Sequence, residues 1–297
     1  MLPMTTLFMV VSPILLITGI TILSMGILYR IREQIIVSTG LIFLGLGFVA
    51  GVMGLSRIDE TLMIEYGWKY PFVKLLEAGI LNPLKGPVSP SFVQLGSWTP
   101  YTGYMIASNV FIVLGIILLS YVGALMTGLD EKKALIVPVI VAVLGFAGIV
   151  LLNKSISLMA VSSDIPAALS TRDTSAYLRT GALLFGFIVL TVGALFIYLE
   201  TKGREYMIYS VSYFLLGLAW AFISTSFFTG FEKRAVLQFI VEGSVSTPLR
   251  YFTAGAILMV LGSVGLLIAS TIEVVGSALG GAEELEAEEG IEEVAGE

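Results

Sequence analysis

The chain has 297 residues, of which 57% are hydrophobic and 13% charged, with a mean hydropathy of +0.96. A soluble domain carries about twice that charged fraction, so the composition excludes one and points to a lipid environment. The formal net charge of −6 arises at the end of the sequence, where positions 283–297 hold eight Glu and no base. The remaining body is slightly positive, and neither a basic partner nor a nucleic-acid surface is implied.

Seven apolar runs follow one another, at 5–28, 34–55, 103–126, 134–152, 181–199, 206–226 and 254–272. Each is about twenty residues long, enough for a helix to cross roughly 30 Å of hydrocarbon. The expected fold is therefore an all-α integral membrane protein with seven transmembrane helices, spanning residues 1–276. The first run has no Lys or Arg before it and no small-x-small cleavage pattern after it, so it reads as a retained span, bent at Pro13. After the second run comes a long aromatic loop. Within it, at 71–81, Phe72, Leu75, Leu76 and Ile80 share one helical face away from Lys74 and Glu77. Tyr66, Trp68, Tyr70, Trp98, Tyr101 and Tyr104 suit an interfacial belt. The fourth run starts one turn ahead of Pro138, a tolerated position. Between the sixth and seventh runs, Arg234, Gln238 and Glu242 oppose Val236, Phe239 and Ile240, which predicts a second amphipathic helix near 234–242. Beyond the seventh run, the Gly, Ala and Glu of 277–297 predict an acidic, disordered tail.

Three turns are short and basic: Arg30-Ile31-Arg32-Glu33, Asp130-Glu131-Lys132-Lys133 and Lys202-Gly203-Arg204-Glu205. The positive-inside rule sets them in the cytoplasm, with the N-terminus outside and the tail inside. Ten of the sixteen Lys and Arg then lie on the outer side, against the rule as a raw count. Density in the short turns outweighs that total, because long loops translocate largely regardless of charge.

An internal repeat is suggested by the even-numbered spans. Setting Arg32 over Arg204 brings Glu33 over Glu205, Ser38 over Ser210, Leu44-Gly45-Leu46 over Leu216-Gly217-Leu218, and Phe48 over Trp220. Setting Arg32 over Lys132 brings Leu44-Gly45 over Leu144-Gly145. Three parallel helical hairpins and a final helix would result. The recurring glycines, Gly45, Gly47, Gly51, Gly145 and Gly217, are expected to pack helices closely, Gly45, Gly47 and Gly51 on one small face.

Chemistry is sparse. With no Cys and no His, the chain has no disulfide, thiolate cluster or His-ligated haem, copper or zinc, and no Ser–His or Cys–His hydrolytic machinery. No cofactor, metal or catalytic residue is expected. The seventh run lacks the Lys that retinal requires. No Asp, Glu, Lys or Arg lies between the span limits, with Glu200 and Glu273 at their ends, which argues against a proton pump, a voltage sensor or a carboxylate-coupled transporter. Asn109 is expected to bond a neighbouring helix. Tyr209, Tyr213, Trp220 and Ser224 form a stripe that suits either helix packing or a flat lipophilic ligand such as a quinone. Arg179 and Arg250 precede spans five and seven, where a guanidinium beside a helix N-terminus suits a lipid headgroup or another anion. Loop carboxylates Asp59, Glu60, Asp164 and Asp173 leave room for a lipid-modifying enzyme but show no paired spacing.

Elimination leads to the expectation of a non-catalytic, plasma-membrane subunit that anchors or scaffolds a larger complex, such as one of respiratory type. Its expected partners are membrane lipids and other protein subunits, met through outer loops or helix faces. The competing reading is a permease or channel for a neutral or lipid-like solute.

Overall fold

The computed structural model describes residues 3–66, 100–161, 165–229 and 246–295, and every described element is an α-helix. These are α1 (Pro3–Leu28), α2 (Arg32–Tyr66), α3 (Pro100–Met126), α4 (Glu131–Ala134), α5 (Ile136–Val161), α6 (Ile165–Thr201), α7 (Arg204–Thr229) and α8 (Ser246–Ala295). Among the described residues, seven segments are long and apolar enough to cross a membrane: Thr5–Leu28, Arg32–Gly54, Gly103–Met126, Glu131–Ser155, Ser170–Thr201, Arg204–Thr225 and Arg250–Gly276. The first and third coincide with the apolar runs. The fifth begins well before position 181, because α6 carries its backbone hydrogen bonds straight through Arg172 and Arg179. The segments expected to be amphipathic, 71–81 and 234–242, lie outside the described residues, as do Trp68, Tyr70 and Trp98. In the stretch whose composition predicts disorder, α8 continues as helix to Ala295.

The three tight turns share one end of the bundle. After α1, Arg30 adopts φ 56°, its N–H donates to Ile27 O, and the N–H of Ile31 donates to Gly26 O at 2.9 Å. That pair of bonds caps the last carbonyls of the helix and stops it. Lys202 closes α6 in the same left-handed conformation, φ 58°, with its N–H on Tyr198 O at 2.8 Å. Gly128, φ 78°, closes α3. The single turn of α4 starts at Asp130, whose carboxylate accepts from the N–H of Lys133 at 2.8 Å. Pro138 falls in the first turn of α5, where no helical acceptor awaits its missing N–H.

In packing order the helices form a ring, α1–α2–α3–α5–α6–α7–α8, closed by α8 on α1, while α3 also meets α6 across it. That crossing divides the bundle into a triangle of α3, α5 and α6 and a larger ring of α1, α2, α3, α6, α7 and α8. The core contains Leu41, Phe48, Ile116, Leu119, Phe187, Leu190, Trp220 and Leu266, none more than 3% exposed. The outward stripe, with Ile20, Val143, Val150, Ile188, Phe214 and Ile257 each more than half exposed, presents an apolar surface to lipid.

Glycines set how closely the axes approach. A Cβ on Gly115 would stand 2.7 Å from Gly40 O, so α2 and α3 touch backbone to backbone. At Gly47 the same face meets Ser108 O at 3.0 Å, and the Ser108 hydroxyl donates to Gly47 O at 2.7 Å. The α5–α6 pair repeats this lock: Gly148 faces Ser175 O at 3.0 Å, and the Ser175 hydroxyl donates to Gly148 O at 2.6 Å. The three α2 glycines do not share one face. Gly45 abuts Leu16 of α1, Gly47 abuts Ile112 of α3, and Gly51 lies between Phe8 and Ser108, so α2 is thinned towards both neighbours. A Cβ on Gly145 would stand 2.6 Å from the Val113 side chain, and one on Gly217 3.1 Å from that of Phe187.

Candidate functional site

A cavity of about 430 Å³ lies inside the larger ring at the turn end, lined by residues of every helix except α5. On its rim stand Ile31, Glu33 and Glu131, all exposed. One wall is an aromatic stack on α7, built at i, i+3 and i+7: Tyr206 and Tyr209 have ring centroids 6.4 Å apart, Tyr209 and Tyr213 6.2 Å. Facing it is Glu273 of α8. Its Oε2 accepts from the Tyr209 hydroxyl at 2.7 Å and its Oε1 from Gln34 Nε2 at 2.7 Å. Both donors are neutral, so they orient the carboxylate without cancelling its charge. A carboxylate can only accept, which fixes the Gln34 amide with nitrogen towards Glu273. Gln34 Oε1 is thereby left buried without a hydrogen-bond partner.

The cavity ends within the bundle. One helical turn deeper than Val37, Val122, Ala194 and Tyr213 come Leu41, Leu119, Leu190 and Leu216, each 0–3% exposed. These leucines form an apolar floor.

A second polar group sits in the α3–α5–α6 triangle. Arg179 is 1% exposed and about 33 Å along α6 from Thr201, near the far boundary of the hydrocarbon. Its Nη1 donates to Asn109 Oδ1 and its Nε to Ser175 O at 3.2 Å. Asn109 Nδ2 in turn donates to Met105 O at 2.8 Å. The arginine stem passes Gly148, where a side chain would collide with its Cγ. Two turns outward, Arg172 is also 1% exposed and donates from Nη2 to Asp173 Oδ1 at 3.0 Å. The guanidinium of Arg179 thus ties α3 to α6 through a charge-assisted bond, a polar knot rather than an open site.

The sequence stripe on α7 is distributed over three environments. Tyr209 and Tyr213 line the cavity. Trp220, 1% exposed, packs against Phe48 at 6.0 Å, which stacks on Phe8 at 4.6 Å. Ser224 shares a hydrogen bond with Thr180 at 3.3 Å, closer to the knot. Arg179 and Arg250 do not occupy matching places: α6 begins about four turns before Arg179, whereas Arg250 is exposed in the second turn of α8. Of the loop carboxylates, Asp173 serves Arg172, and the side chains of Asp59, Glu60 and Asp164 lie outside the described residues.

Gln34 and Glu273 were not singled out by sequence reasoning. A signal for Glu273 exists, since Met259, Ser263, Leu266, Ser270 and Glu273 repeat at spacings of four and three and the first four are buried, which marks Glu273 as facing inward. Fold and site together define a multi-pass helical membrane protein with a pocket at the turn end of its larger ring. The chain matches no family model, no curated protein and no solved structure.

Proposed function

We propose that this protein is a non-catalytic, membrane-embedded subunit that anchors a larger assembly in the plasma membrane, with its N-terminus outside and its turns and acidic tail in the cytoplasm. The blind end of the cavity carries this reading. Leu41, Leu119, Leu190 and Leu216 close the bundle interior, and the polar side chains beyond them, Asn109, Arg179, Ser108 and Ser175, are engaged with the protein's own helices. An interior spent on its own cohesion suits a scaffold better than a conduit. Partner subunits would dock on the outer helix extensions or on helix faces, among membrane lipids.

A three-hairpin repeat belongs to the same proposal. The register that sets Arg32 over Arg204 also sets Arg30 over Lys202, and these are the two non-glycine residues with positive φ among those described. It sets Gly47 over Ala219, whose carbonyls meet Ser108 and Gly255 at the crossing with the next helix. Phe48 and Trp220, equivalent in this register, touch each other.

Purification of the full chain in a mild detergent tests the anchoring role. A stable heteromeric assembly of fixed stoichiometry is expected, and an isolated chain that moves a neutral or lipid-like solute across liposomes would overturn it. That competing permease reading draws on the cavity itself, which is large enough for a small solute.

A further inference from the structure

We propose that the turn-end cavity binds a primary or secondary ammonium ion carrying a compact apolar or aromatic tail. The assignment goes beyond the anchoring role and does not depend on it. At about 430 Å³ the space falls within the roughly 300–1,000 Å³ of small-molecule pockets. Three of its lining residues are carboxylates, Glu33, Glu131 and Glu273, and none is Lys or Arg. Arg32 pairs with Glu131 at the rim, at 2.9 Å.

Glu273 is the centre of the site, half-buried, held in one orientation by Gln34 and Tyr209. Beside it the stacked rings of Tyr209 and Tyr213 add an aromatic wall, a surface that suits a cation. Among the described residues no three carboxylates gather closely enough to hold a metal ion. The buried Oε1 of Gln34, which lines the same cavity, lacks a hydrogen-bond donor. An ammonium with N–H groups donates hydrogen bonds to the Glu273 carboxylate and a quaternary ammonium does not. Val37, Val122, Ala194 and Ile197 provide apolar walls for the tail.

Calorimetric titration of the full chain in phosphatidylcholine nanodiscs, with empty nanodiscs as the blank, tests this directly. The probes are 2-phenylethylammonium, the neutral 2-phenylethanol and trimethyl(2-phenylethyl)ammonium. The primary ammonium is expected to bind at least about tenfold more tightly than the alcohol, and more tightly than the quaternary ion. Glu273→Gln should remove that about tenfold advantage while leaving the alcohol unchanged. Should Glu273→Gln fail to fold, Tyr209→Phe, which removes only the orienting hydroxyl, is expected to weaken the ammonium by about threefold or more. Equal affinity for ammonium and alcohol, equal affinity for the quaternary ion, an unaltered ammonium affinity in folded Glu273→Gln, or no ammonium binding at millimolar concentration each overturns the assignment.

Discussion

A charged side chain inside a membrane bundle is tolerated only when protein groups replace its water, as they do at Arg179. Asn109 Oδ1 and the Ser175 carbonyl hold it, and Gly148 makes room for its stem. Removing the acceptor alone is then worse than removing the pair. Asn109→Leu is expected to destabilise the protein by about 1–3 kcal/mol, because it leaves a buried cationic donor short of a partner. The double variant Asn109→Leu/Arg179→Leu should recover part of that loss, since a matched apolar pair leaves nothing to solvate. Thermal unfolding in detergent measures both, and strictly additive losses would contradict the coupling. Glu273 is likewise held by protein groups, the Tyr209 hydroxyl and the Gln34 amide, at the turn end of the bundle.

Helices in this bundle are spaced by what their crossing residues lack. Gly47 and Gly148 each receive a serine hydroxyl on their carbonyl and a serine backbone against their Cα. Gly47→Leu or Gly148→Leu should therefore separate α2 from α3, or α5 from α6, and lower stability by about 1–3 kcal/mol or more through overpacking. Gly103→Ala is the contrasting case: a Cβ there meets nothing within 4 Å, and the substitution should be neutral or stabilise slightly in the same unfolding assay. The spans themselves were legible in sequence because hydrocarbon demands a minimum run of apolar residues, and no other element can satisfy its backbone there. Helix ends were not. α6, at 37 residues or about 55 Å, outruns the bilayer through Arg172 and Arg179, which hydropathy reads as the end of a span although the helical bonds continue. The α7 tyrosines announced themselves by their spacing. Their pairing with Glu273 and Gln34, 239 residues apart from each other, depends on α8 closing the ring, which no local pattern encodes.

For the molecule as a whole, the absence of cysteine makes orientation directly measurable, since a single introduced thiol has no background. With an impermeant maleimide on intact cells, Arg250→Cys is expected to react at once and Lys132→Cys only after permeabilisation, both positions being exposed. The opposite pattern would invert the topology while leaving the packing of the ring untouched. Because the pocket has a mouth at the turns and a leucine floor beneath, the two compartments are not equivalent to this protein. A solute entering from the turns meets Glu33 at the rim and then Glu273, and the buried leucine layer stands beneath it. A ligand held there, as proposed above, would report the contents of one compartment only.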